Sequence, residues 1–223
     1  MPAALPDGPV PANRAQAAAL IDVSRETWQA LDHYVTQLCR WQPAQNLVSS
    51  ATLDAVWTRH IADCVQLYML PDTTGNWLDI GSGAGLPGLI GAIVSKYHHD
   101  RPGQEFVLVE SNQRKCAFLK TISRELDLNV RVERGRIEAA DPDRLPDIGQ
   151  ISARAVANLT QLLLWGQPWW ARGASGIFQK GRDYQGEVEK AAAAFDFDLV
   201  CYPSKIDAES VILDVRAIRP RPA

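Results

Sequence analysis

Trp77-Leu-Asp-Ile-Gly-Ser-Gly-Ala-Gly-Leu-Pro-Gly-Leu-Ile-Gly-Ala-Ile-Val94 decides the fold of this 223-residue chain. Trp77 to Ile80 reads as a short buried strand. Gly81, Gly83 and Gly85 follow as a turn that presents backbone, because a Cβ would block both positive φ angles and the close approach of a ligand. Leu86 to Val94 resumes as an apolar helix opened by Pro87, a residue suited to the first helical position. Strand, glycine turn and helix in that order build a nucleotide-type site at the carboxyl edge of a parallel sheet.

Outward from that stretch the pattern alternates, as in a doubly wound sheet. Strand 106–109 precedes helix 113–126 and strand 130–133; an apolar piece at 148–153 follows an Asp/Pro-rich turn. Helix 159–170, strand 176–179 and the Ala-rich helix 185–195 lead to two final strands, 198–202 and 210–218, joined near Asp207. Upstream, a short helix is predicted over 13–22. A longer one, capped by Ser24, carries Trp28, Leu31, Val35, Leu38 and Trp41 at helical spacing. The loop 42–50 separates it from a single helix over 52–68, which places Arg59, His60 and Asp63 within one turn of each other. The expected organisation is a frayed tail at 1–12, a helical extension at 13–75, an α/β domain at 76–218 and a solvated end at 219–223.

Composition bounds the function. An apolar share of 46% and a charged share of 22% suit a globular protein that buries a full core unaided. The net charge of −3 advertises no global field for nucleic acid, though it leaves room for a local basic face. Arg131, Arg134 and Arg136, with Arg114, Lys115, Lys120 and Arg124 upstream, form either a phosphate-facing patch or a solvated helix face. Cys39, Cys64, Cys116 and Cys201 are scattered without a C-x-x-C pair and read as reduced, mostly buried thiols, with no metal site expected. No segment resembles a signal peptide or a membrane span, so a cytoplasmic location is expected.

Two ligands suit the glycine turn. The pattern G-x-G-x-x-G can be laid on Gly83, Gly85 and Gly88, which leaves a dinucleotide and hence an NAD(P)-dependent oxidoreductase open. In that frame Pro87 falls where a helix-start N–H should meet a pyrophosphate, and proline has none. S-adenosyl-L-methionine (SAM) carries no phosphate and loses nothing there. Asp79 fits a ligand with a positive amino-acid end, and Glu110, at the end of the next strand, can accept both ribose hydroxyls of either ligand. The closing strand pair is an addition that a methyltransferase sheet makes to the ordinary doubly wound one.

Methyl transfer from a sulfonium is a direct displacement, so the protein's tasks are alignment and tolerance of charge redistribution. The segment Ile151-Ser-Ala-Arg-Ala-Val-Ala157 lacks the Asn/Asp-Pro-Pro-aromatic run of exocyclic-amine methylases, and no Pro-Cys loop supports covalent pyrimidine chemistry. A ring nitrogen with a free lone pair needs no general base. Arg154 can pair with a SAM carboxylate or a base edge, or simply end a strand. His60 reads more readily as a structural histidine than as a base, with Asp63 placed to orient it. Trp165, Trp169 and Trp170 read as core rather than as base-stacking groups.

Taken together, Asn46-Leu-Val-Ser49, Arg59-His-Ile-Ala-Asp63, Asp79 through Gly88, Arg136-Ile-Glu138, Ala153-Arg-Ala155 and Lys180-Gly181 resemble the bacterial small-subunit ribosomal RNA guanine-N7 methyltransferases, the glucose-inhibited division protein B family. The resemblance runs from about Trp28 to Ile218. It implies a class I SAM-dependent methyltransferase fold behind the helical extension, acting on a guanine N7 of 16S rRNA in the small subunit or its precursor. S-adenosyl-L-homocysteine would be the product, and a monomer is expected. By match of motif, Gly81, Ser82, Gly83, Gly85 and Leu86 would contact SAM, Glu110 its ribose, Ile137 and Glu138 its adenine, and Arg154 its methionyl end. Asn46, His60, Asp63 and Lys180 would line the acceptor side. The chain departs from the family's pattern at Cys64, where serine is usual, and at Asp207-Ala-Glu209, where an arginine is often found. A ribosome-assembly binding module with a vestigial pocket is the remaining alternative.

Overall fold

The computed structural model describes residues 13–71, 75–98 and 103–222, so the tail expected over 1–12 lies outside it. The chain opens with α1 (Arg14–Ala18) and the long α2 (Arg25–Gln45), whose Ser24 cap accepts the Thr27 N–H at 3.1 Å. Helix α2 runs past its expected end at Trp41 and through Pro43. It stops at Asn46, whose φ of 46° turns the chain out of the helix. The Gln42 amide then bonds both the N–H and the carbonyl of Val48 and folds the following loop back on the helix.

The single helix expected over 52–68 is instead three pieces. They are α3 (Ser50–Leu53), a wide π-helical stretch (Trp57–Ala62) and α4 (Asp63–Tyr68). Two bonds accompany the departure: within the segment the Thr52 hydroxyl bonds the His60 ring at 2.8 Å, and from β4 Arg154 donates to the Arg59 carbonyl at 2.7 Å. Wide helical turns of this kind are common at functional sites.

The sheet has seven strands: β1 (Asn76–Ile80), β2 (Phe106–Glu110), β3 (Val130–Arg134), β4 (Ile148–Arg154), β5 (Ser175–Lys180), β6 (Phe195–Pro203) and β7 (Val211–Pro220). Their spatial order is β3-β2-β1-β4-β5-β7-β6. The first five are parallel, and β7 lies antiparallel between β5 and β6. The last two strands are longer than expected. Phe195 belongs to β6 rather than to the preceding helix, and Arg219 and Pro220 belong to β7 rather than to a solvated end.

Alternation along β1 sends Trp77 and Asp79 to one face and Leu78 and Ile80 to the other. On the first face α5 (Gly88–Lys96) and α6 (Gln113–Glu125) pack with the N-terminal helices in one continuous core, in which Trp77 stacks on Phe106 at 6.1 Å. Truncating a buried ring such as Phe106 to alanine costs about 3–5 kcal/mol. The Trp28-to-Trp41 stripe of α2 belongs to this core, as its spacing predicts. On the second face lie α7 (Leu159–Trp165), α8 (Gln167–Trp170) and α9 (Tyr184–Ala192). The one helix expected over 159–170 breaks at Gly166, because Pro168 has no N–H to continue the ladder, and the Trp170 indole, which donates to the Leu163 carbonyl at 2.8 Å, fills the space where a Cβ at 166 would stand. Trp169 and Trp170 are core, as expected, whereas Trp165, expected with them, is half-buried and reaches the cavity described below.

Candidate functional site

The chain runs outward from β1 to β3 and then returns to the other side of β1 with β4. The crevice at that reversal is where open α/β sheets bind ligands. A cavity of about 560 Å³ opens there, between the glycine turn, the ends of β2 and β4, and the segment Leu47–His60. Positive φ at Gly81 (67°) and Gly85 (89°) shapes the turn, and at both a Cβ would strike a neighbouring side chain, Val156 or Leu89.

Most of the turn's N–H groups are already engaged within the protein. Those of Gly81 and Ser82 bond Val109 O, those of Gly85 and Leu86 bond Ser82 O, and that of Gly83 bonds the Glu110 carboxylate at 2.8 Å. Gly88, the first residue of α5, gives its N–H to Asp79 at 3.2 Å. A pyrophosphate arriving at this helix start would find those donors taken and a carboxylate in its way. The arrangement suits a phosphate-free ligand.

Asp79 therefore requires a correction. It does not face the ligand. Its strand parity turns it beneath the turn, 1% exposed, where it also accepts from the Ser152 hydroxyl at 2.7 Å. Burial pushes its carboxyl up to about 6 against the hydrogen bonds that favour charge. Asn46 is the second correction: it is exposed, serves as the left-handed cap of α2, and does not line the cavity. Its neighbours Leu47, Val48 and Ser49 do.

The other expected cofactor residues come together. Gly81, Ser82, Gly83, Leu86, Glu110, Ile137, Glu138 and Arg154 all line the cavity, whereas Gly85 lies just behind its wall. Glu110 is 7% exposed and accepts the N–H of Asn112 as well as that of Gly83, which fixes its carboxylate at the end of β2. Lys115 and Arg136 join the rim from the basic group noted in the sequence, while Arg131 is engaged by Glu133 and by the Arg144 carbonyl.

A second cavity, of about 300 Å³, adjoins the first, and Arg59, Arg154 and Ala155 line both. Asp63, Gln179, Lys180 and Asp207 form much of its wall. Arg154 stands at the junction, its guanidinium 2.7 Å from Arg59 O, 3.2 Å from the Asp63 carboxylate and 3.6 Å from Cys64 Sγ. Lys180 is buried and holds Glu187 and the Ala157 carbonyl, each at 2.8 Å.

Asp63 does not orient His60, contrary to expectation; it pairs with Arg154 and accepts from Gln66 at 2.8 Å. The partner of His60 is Thr52. Because the Thr52 hydroxyl donates its proton to Ser49 O, it must accept from Nε2–H of His60, which leaves Nδ1 as a bare acceptor with no hydrogen-bond partner. Burial, reinforced by the charges of Arg154 and Arg59, holds the imidazole down at about 4. Burial likewise raises the Asp63 carboxyl and pushes the Cys64 thiol up to about 12. The site thus offers a neutral, weakly basic histidine, a protonated thiol and an arginine–carboxylate pair. Of the four free cysteines, Cys64 and Cys116 are buried and Cys39 is half-buried, whereas Cys201 is exposed, against the expectation of mostly buried thiols only in that one case.

Thr52 and Gln179 carried no site signal in the sequence, whereas Ser49, Arg59 and Asp207 stood in quoted segments without being assigned to the site. A family model described as GidB, rRNA small subunit methyltransferase G, matches residues 27–208.

The chain belongs to this family.

The ribosomal RNA small subunit methyltransferase G of Methylorubrum populi is 47% identical over 197 residues, covering 88% of this chain and 92% of that protein. The protein of the same name from Rhizobium meliloti is 44% identical over 207 residues, covering 92% and 95%. Among solved structures, a methyltransferase from Geobacter sulfurreducens superposes with a TM-score of 0.57 at 15% identity, covering 91% of this chain and 95% of that one. The fold is the class I SAM-dependent methyltransferase fold, and family membership gives the oxidoreductase alternative no support. No helix among the described residues of this family member is long and apolar enough to cross a membrane.

Proposed function

We propose that the chain transfers a methyl group from SAM to N7 of a guanine in the 16S rRNA of the small ribosomal subunit or its precursor, acting as a cytoplasmic monomer. The observation that carries this reading is the pair of adjoining cavities that share Arg59, Arg154 and Ala155. One suits a phosphate-free nucleoside and the other is large enough for a flat base turned out of its RNA.

When bound, SAM supplies a methyl group made electrophilic by its sulfonium sulfur. The glycine turn and Leu86 would seat its methionyl part, with Glu110 accepting from the ribose hydroxyls and Ile137 and Glu138 flanking the adenine. Arg154 would meet the carboxylate. Asp63 and Lys180 would wall the acceptor side of a transferase domain at 76–218, with the helical extension at 13–75 closing over both and carrying His60, expected on the acceptor side, on the wall of the first cavity instead. Guanine N7 already carries its lone pair, so no residue has to remove a proton, in keeping with a histidine held neutral and a thiol held protonated. The Asp63 carboxylate, at the junction, is placed to offset the positive charge that the methylated ring acquires.

The test is transfer itself. Small subunits lacking guanine-N7 methylation, incubated with the protein and SAM, should yield 7-methylguanosine when the rRNA is digested and analysed by mass spectrometry. Subunit binding without transfer would reduce the protein to an assembly module and overturn the proposal.

A further inference from the structure

A turn made of glycine for the sake of ligand access has little shape of its own, since glycine loses more conformational freedom on ordering than any other residue. The turn between β1 and α5 has positive φ at Gly81, Gly83 and Gly85. Its internal bonds, Gly85 N and Leu86 N to Ser82 O, close only its first half. The carbonyl of Ala84 is held from outside the turn, by α2, whereas that of Pro87, which already accepts the Gly91 N–H at 3.0 Å at the start of α5, takes a second bond from α4.

Tyr34 of α2 donates its hydroxyl to Ala84 O at 2.9 Å, and Tyr68 of α4 donates to Pro87 O at 3.2 Å. Both tyrosines are fully or almost fully buried, at 0% and 2% exposure. Neither ring is free to drift. Tyr34 meets Phe118 edge-on at 6.0 Å, and Tyr68 packs against Trp77 at 4.5 Å. Space for the Tyr68 ring exists only because Gly91 has no Cβ; one built there would fall inside the ring. Two aromatic side chains 34 residues apart in sequence thus converge on two carbonyls of one ligand turn.

We propose that Tyr34 and Tyr68 are positioning residues for the methyl donor, holding the glycine turn in its ligand-ready shape through the carbonyls of Ala84 and Pro87. The proposal rests on the SAM reading of the first cavity. Neither phenol lines that cavity, so each acts through the backbone it holds. The same helical segment also supplies the opposite cavity wall, from Leu47 to His60. Docking of the N-terminal helices and readiness of the donor site are therefore one event.

The variants Tyr34→Phe, Tyr68→Phe and the pair keep both rings and remove only the hydroxyls. Titration calorimetry with SAM and with S-adenosyl-L-homocysteine, well below the melting temperature, is expected to show about fivefold weaker binding for each single variant and about twenty- to thirtyfold for the double. The turnover number at saturating SAM should stay within twofold. Amide hydrogen exchange at Gly85 and Leu86, measured without ligand, should quicken in the same order. A purely structural role predicts a lower melting temperature with unchanged affinity and turn exchange, and that result overturns the proposal. Should Tyr68→Phe prove too unstable to titrate, Tyr34→Phe carries the same test alone. A wild-type protein that binds neither ligand brings down the functional reading itself, a failure distinct from tight binding that the variants leave unchanged.

Discussion

The guanidinium of Arg154 lies 3.2 Å from the carboxylate of Asp63, at the point where the two cavities meet. The pair is largely shielded, with side-chain exposures of 19% and 15%, so neither charge can lose its partner cheaply. Arg154→Ala is expected to lower kcat/KM about a hundredfold, near 2.7 kcal/mol, by removing both the pairing and the fork that faces the first cavity. Arg154→Lys should recover little of this, because a point charge cannot replace a planar fork. In a double-mutant cycle with Asp63→Asn the coupling should reach about 1–3 kcal/mol. Turnover of the wild-type order in Arg154→Ala would remove this residue from the site.

Asp79 should make stability depend on pH in an unusual direction. Its folded carboxyl titrates at about 6, against 3.8 when unperturbed, so the folded state binds the proton more tightly. The stability it contributes is fully present below its unfolded value and is lost as pH rises through about 6. The full difference is about 3 kcal/mol. Asp79→Asn keeps an acceptor for Gly88 and an amide for Ser152 and never ionises. Its melting temperature relative to wild type should therefore climb between pH 4 and pH 7. A constant offset across that range would sink the assignment.

His60 behaves oppositely. An imidazole held at about 4 resists protonation in the folded state, so its contribution is complete above the unfolded value of 6.5 and declines as pH falls toward about 4. Activity from pH 6 to pH 8 should show no limb attributable to this group. Carbon–proton NMR of the histidine ring resonances supplies the direct check; a midpoint near 6.5 for His60 contradicts its burial beside Arg154 and Arg59.

Gly91→Ala should destabilise by about 1–3 kcal/mol through overpacking, although the site lies in a helix where alanine is otherwise preferred. Combining it with Tyr68→Ala, which empties the contested space, should give a double variant less damaged than the sum of the two. Strict additivity in urea unfolding would show that the Tyr68 ring does not occupy the notch above Gly91.

The strand, the glycine turn and the helix after it were legible in the sequence because their signals are local: an apolar run, three closely spaced glycines and a resumed apolar stretch. The sheet's alternation and its closing antiparallel pair were legible for the same reason. The Trp57–Ala62 widening was not, since what accompanies it is an arginine from β4, 95 residues away in sequence, donating to Arg59 O. The closeness of Asp79 to the turn along the chain suggests a ligand contact that the strand does not allow. Its parity with Trp77 carried the better information, that both side chains leave the strand on the same face. Asn46 was assigned to the acceptor side by motif, whereas the structure gives it a backbone task at the end of α2.

In the sheet β6 has a single neighbour, β7, which lies between it and β5 although it follows both in the chain. Residues 195–203 therefore have no strand to pair with in this sheet until 211–220 are in place. Until then β5 presents an open edge beyond β4. A partly folded chain lacking the seventh strand is accordingly the form most exposed to edge-to-edge misassociation.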